Sequence, residues 1–96
     1  MENNFDISQF IDVETRETVL KNLQSRVRKR RKEKGLTQKE LARISGVSYA
    51  SIRRFENTGD ISLSSLMKIA QELESLDDFN ELFKNAIISS IKDLKV

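Results

Sequence analysis

Arg53 and Arg54 are adjacent, and Tyr49, Ala50 and Asn57 each stand three or four positions from one or the other. At 100° per residue these five fall on one side of a helix, and Ile52 and Phe55 fall on the other. Such a face could read base edges. A guanidinium fork matches the O6 and N7 acceptors of guanine, while the Ala50 methyl and the Tyr49 ring suit thymine methyls. The same arginines could instead hold only phosphates, or simply be solvated.

The charge pattern bears on that choice. Residues 1–20 carry Arg16 against five acids, a net of −4. Residues 21–59 carry twelve Lys or Arg against Glu33, Glu40 and Glu56, a net of +9. Residues 60–96 return to −3, which leaves a chain of +2 overall. A basic middle between acidic ends is the footprint of a polyanion-binding surface, although a solvated basic helix would give the same count.

Other chemistries lack their reagents. The chain contains neither histidine nor cysteine, so the commonest general base, the commonest metal ligand and the thiolate are all missing. It also lacks a glycine-rich phosphate loop and carboxylates at metal-ligand spacing. No enzymatic activity, cofactor or metal is expected. Apolar runs are too short to span a membrane or form a secretory signal, so a cytoplasmic, nucleoid-associated protein is expected.

Helices must position the reading face. Proline is absent, and Gly35, Gly46 and Gly59 each follow an apolar pattern of helical period, where a left-handed cap would end a helix. The first helix is expected from about Thr15 to Lys34, with Val19, Leu20, Leu23 and Val27 on one stripe. The second opens at Thr37, which with Glu40 spells a capping box. The third runs from Ser48 to near Asn57. A fourth follows Ser62 and buries Leu63, Leu66, Ile69, Ala70 and Leu73. A fifth is expected after Asp77, burying Phe79, Leu82 and Phe83 and continuing through Ala86, Ile87, Ile91 and Leu94. The fold is expected to be all-α, with residues 1–14 an N-terminal extension, 15–85 the domain and 86–96 a C-terminal extension of helix five.

Helices two and three are short and are joined around Gly46, as in a helix-turn-helix. Ala42 is small where the helices would cross, and Leu41, Val47, Ile52 and Phe55 supply the apolar contacts. The stretches Gly35-Leu-Thr-Gln-Lys-Glu-Leu-Ala42, Ser45-Gly-Val-Ser48 and Ile52-Arg-Arg-Phe-Glu-Asn57 resemble the Xre/Cro/cI family of DNA-binding domains. The resemblance covers about residues 24–83 and is specific across 37–57. It implies a five-helix, lambda-repressor-like domain that binds operator DNA, usually as a dimer. The run from Ser62 to Leu73 with Leu76-Asp-Asp-Phe79 is most similar to the HipB-like antitoxin branch, which raises a second function: neutralising a cognate toxin protein and repressing the shared operon.

Phosphate contacts are expected at the ends of short helices, where free N–H groups and the dipole favour an anion. Thr37 and Gln38 open the second helix and Ser48 the third, and the resemblance adds Asn57. Thr37 is equally explained as a cap and Asn57 as a helix terminator. From the basic run, Arg28 is the candidate for the flanking backbone, and Arg26, Lys29, Arg30 and Lys32 encircle the same helix. Glu56 is out of place on a DNA-facing helix. The family pattern pairs it with an arginine late in helix one, which falls on Arg31. Finally, Ile87, Ile91 and Leu94 have no obvious cover within one small domain, and residues from about 83 to 94, with Phe83, Ile87, Ile91 and Leu94, are expected to form a homodimer contact. The apolar positions among residues 1–14 show no clear period.

Overall fold

The first helix, α1 (Arg16–Glu33), starts where Thr15 and Thr18 cap each other. The Thr15 hydroxyl accepts the Thr18 N–H at 3.1 Å, and the Thr18 hydroxyl accepts the Thr15 N–H at 3.0 Å. The chain is described here over residues 14–88 of a computed structural model. The second helix, α2 (Gln38–Ser45), has the expected box: Thr37 accepts the Glu40 N–H at 3.0 Å, and the Glu40 carboxylate accepts the Thr37 N–H at 2.8 Å. Ser48 caps α3 (Tyr49–Thr58) and Ser62 caps α4 (Leu63–Glu72), each accepting the N–H three residues on. Each cap satisfies a donor that a helix end leaves free.

The α2–α3 turn needs Gly46, whose φ of +79° is a left-handed conformation that a Cβ would strain. Its N–H donates to the Ala42 carbonyl at 3.0 Å and closes α2. The core then forms where α2 packs on both α3 and α4, while α1 lies against α3. Leu41, Val47, Ile52, Ile69 and Leu73 are its buried cluster, with Val27, Leu36, Ala42 and Ile61 packed around it. Burying each large apolar side chain of this kind contributes about 1.5–3 kcal/mol.

Two expected stripes are shorter than their patterns. On α1, Leu23 and Val27 are half-buried but Val19 and Leu20 are exposed. On α4, Leu66, Ile69, Ala70 and Leu73 are buried but Leu63 is 63 % exposed.

The fifth element departs further. It is a 3-10 helix over Leu76–Glu81, not the long α-helix expected from Asp77 onward. Leu82 leaves it in an extended conformation, and residues 82–88 carry no helix. Ser75, at the cap position, makes no capping hydrogen bond. Its hydroxyl is taken up by the Arg30 guanidinium at 2.7 Å and the Leu73 carbonyl at 3.0 Å. Phe79 is half-buried, but Leu82 and Phe83 are exposed, so the stripe past Phe79 is left largely uncovered. Ile91 and Leu94 lie outside the described residues, as do residues 1–13. No helix among the described residues is long and apolar enough to cross a membrane.

Candidate nucleic-acid interface

The predicted reading face of α3 is open. Tyr49, Ala50, Arg53, Arg54 and Asn57 are all exposed, while Ile52, Phe55 and Glu56 are buried on the opposite side. The two arginines are held differently. The Arg53 guanidinium carbon lies 6.0 Å from the centre of the Tyr49 ring. Lys39 Nζ approaches that ring at 5.4 Å, so the tyrosine is in contact with two cations. Arg54 Nη2 pairs with the Asp60 carboxylate, 2.7 Å from its Oδ2.

Glu56 is the anchor behind this face. Arg31 Nε donates to its Oε2 at 2.7 Å, and Arg31 Nη2 donates to its Oε1 at 2.9 Å, a two-pronged pair. Both residues are buried, Arg31 to 7 % exposure and Glu56 to 4 %. Burial alone would raise the Glu56 pKa. Hydrogen bonds from Arg31, Gln38 and Arg28 and the Arg31 charge overcome it, holding the carboxyl below its ordinary value. Arg31 Nη1 donates to the Leu36 carbonyl at 2.8 Å. One guanidinium therefore joins α1, the loop into α2, and α3.

Two phosphate candidates turn towards the same carboxylate. Gln38 Nε2 donates to Glu56 Oε1 at 2.9 Å, and Arg28 Nε reaches the same oxygen at 3.3 Å. Gln38 is half-buried and Arg28 exposed. The Thr37 hydroxyl and N–H are both committed to Glu40, so the anion-facing groups left at this end are the N–H groups of Gln38 and Lys39, which have no intrahelical acceptor. The Ser48 hydroxyl caps α3 and donates to Ser51 Oγ at 2.8 Å. Asn57 is exposed near the end of α3.

Several participants escaped the sequence reading. Lys39 was legible only as the second residue of α2, yet it meets Tyr49 on α3. Gln24 donates to the Glu56 carbonyl at 3.2 Å, fastening α1 to α3. Arg30, from the basic run, is a structural residue: its Nη1 donates to the Leu73 carbonyl at 3.0 Å and to Ser75. Of the dimer candidates, Phe83 is 101 % and Ile87 92 % exposed, and they are not brought against the α3 face by any helix.

This geometry, a capped helix, a left-handed glycine turn and an exposed basic helix over a buried ion pair, coincides with a family match. A family model described as Helix-turn-helix covers residues 27–79, more than half of the chain. The chain belongs to the helix-turn-helix family of the Xre/Cro/cI type. No match was found among characterised proteins or among solved structures. As a family member it is a DNA-binding protein with an all-helical domain, and α2 and α3 are its helix-turn-helix. The family is defined by DNA binding and not by catalysis. The matched span runs from Val27 on α1 to Phe79 in the 3-10 helix, and so includes Arg28, Arg31, Gln38 and Glu56.

Proposed function

We propose that this helix-turn-helix protein is a sequence-specific transcriptional regulator, a homodimeric repressor that lays α3 in the major groove of its operator. In this reading Arg53 and Arg54 contact base edges, with Tyr49 and Ala50 against thymine methyls. The N–H groups at the start of α2, with Gln38, Ser48, Asn57 and Arg28, hold the flanking phosphates. The observation that carries it is the pairing of an exposed arginine face on α3 with the buried Arg31–Glu56 bridge behind it. That bridge fixes the reading helix against α1 and neutralises the carboxylate that α3 buries behind its reading face.

A single unit reads few bases, so useful affinity calls for two units about one DNA turn apart, roughly 34 Å. The exposed Phe83 and Ile87 support a two-fold contact through residues 83–94. Selection from random duplex DNA tests the whole reading. It should return two related half-sites at a fixed spacing of one turn; an unrelated pool of sequences would contradict it.

The antitoxin function is a narrower form of the same proposal. It is supported by the likeness of the Ser62–Leu73 run to the HipB-like branch and by an apolar groove between α1, α4 and the 3-10 helix, lined by Leu23, Val27, Leu66 and Phe79. Co-expression with the protein encoded by the adjacent gene separates the two: an antitoxin co-purifies with it, and a solitary repressor does not.

A further inference from the structure

Arg54 carries a feature that the other reading residues lack. Its guanidinium closes a ring of one ion pair and two hydrogen bonds with the residues just past the end of α3. Arg54 Nη2 forms an ion pair with Asp60 Oδ2 at 2.7 Å, the Asp60 N–H donates to Thr58 Oγ1 at 3.2 Å, and the Thr58 hydroxyl donates back to the Arg54 carbonyl at 2.7 Å. The backbone reversal that brings Asp60 round is built into the fold. Gly59 has a φ of +83° and donates to the Phe55 carbonyl at 2.7 Å. It also sits so close to α1 that an added Cβ would lie 2.6 Å from the Leu20 side chain. The chain is thus pinned to α1 at Gly59, and the next residue has a defined place beside Arg54.

The ring is poorly explained as a stabilising device. The Arg54 and Asp60 side chains are 68 % and 64 % exposed, and ion pairs that open to water add little. The α3 C-terminus is already closed by the Gly59 N–H. A carboxylate just beyond it opposes the helix dipole, whose negative end is there. Asp60 also precedes the Ser62 cap of α4, whose dipole a carboxylate favours, so any test must follow stability alongside binding.

The pair has a clearer consequence for recognition. A free arginine on this surface would serve any phosphate, because a neutralised phosphate releases counterions whatever the sequence. An arginine already matched to a carboxylate releases little. It does keep most of its five N–H donors, enough for a bidentate contact with guanine O6 and N7, and its side chain is biased towards one orientation before the duplex arrives. We propose that Asp60 is a specificity-determining residue, which orients Arg54 for base reading and withdraws its charge from sequence-independent phosphate binding. The proposal rests on the reading in which α3 lies in the major groove.

The test uses the full chain as wild type, Asp60→Asn, Arg54→Ala and the double variant, each titrated against the selected operator and a scrambled duplex over a range of salt. Asp60→Asn should bind the scrambled duplex more tightly, with a salt slope steeper by about one phosphate contact. Its operator-to-scrambled ratio should fall about two- to fivefold, the range that an exposed ion pair can supply. In the Arg54→Ala background the same change should leave the ratio untouched. Equal gains on both duplexes would show Asp60 merely repelling DNA and would overturn the proposal. So would a lowered melting temperature with an unchanged ratio, which would assign Asp60 to the α4 cap. If Arg54→Ala itself leaves the ratio intact, the base-reading role of Arg54 fails, which is a different result from either.

Discussion

Arg31 and Glu56, 25 positions apart in the chain, meet through two parallel hydrogen bonds of 2.7 and 2.9 Å in the interior of the domain. The pair is positioned between the framework and the reading helix, so its loss should show in both. Removing one partner strands a buried charge. Arg31→Ala should lower stability by about 3 kcal/mol, the cost typical of breaking a buried pair, and weaken operator binding with it. Thermal melting and DNA titration of the same sample check this. A variant that melts like wild type but has lost DNA affinity would make Arg31 a phosphate contact instead.

Acid should act through the same carboxylate. The Glu56 pKa is held below its ordinary value of 4.5 despite burial. A depressed folded pKa contributes stability that is fully present above the unfolded value and is lost as pH falls through the folded one. The stability difference between wild type and Glu56→Gln should therefore be largest at neutral pH and shrink as pH falls below the ordinary carboxylate value. Glu40 and Glu74 also have lowered pKa values but are present in both proteins, so the difference isolates Glu56. A gap that stays constant into acid would mean that Glu56 is not held ionised by its partners.

Much of this arrangement was legible beforehand. The capping box at Thr37 and Glu40, the glycine turn and the 3.6-residue periodicity are local signals, and they define α2 and α3 without tertiary information. The roles of Arg30 and Lys39 were not legible. Arg30 finds its acceptors 43 and 45 positions away, and within a basic run nothing marks which side chain will turn to a carbonyl. The fifth helix was misread for a related reason. Phe79, Leu82, Phe83, Ala86 and Ile87 keep helical spacing, but periodicity creates a helix only where a surface exists to bury its stripe. Here Phe79 alone finds partial cover, and Ser75 is diverted from capping by Arg30.

Salt should report how the basic block is used. If six to ten phosphates are contacted, affinity should fall about 10³–10⁵-fold between 50 and 200 mM salt. Gln38→Ala should weaken all sequences by a similar factor, since its proposed partner is the backbone. A change in base preference on that substitution would move Gln38 from backbone to base.

The proposed dimer can be tested without disturbing the core. Phe83 and Ile87 are exposed, so replacing both with glutamate should leave a cooperatively melting domain, with any loss of melting temperature limited to what dimerisation adds by mass action. Sedimentation should shift from dimer to monomer, with much weaker operator binding. A variant that remains dimeric would place the interface elsewhere.

Guanine edges in the major groove should be read by α3 through Arg54. Replacing guanines of the selected half-site one at a time with 7-deazaguanine removes the N7 acceptor and leaves pairing intact. Wild type should lose about 1–3 kcal/mol of affinity at one guanine per half-site, and Arg54→Ala should be indifferent to the replacement at that position. Uniform tolerance of 7-deazaguanine by the wild-type protein, or a sensitivity that persists unchanged in Arg54→Ala, would contradict the account.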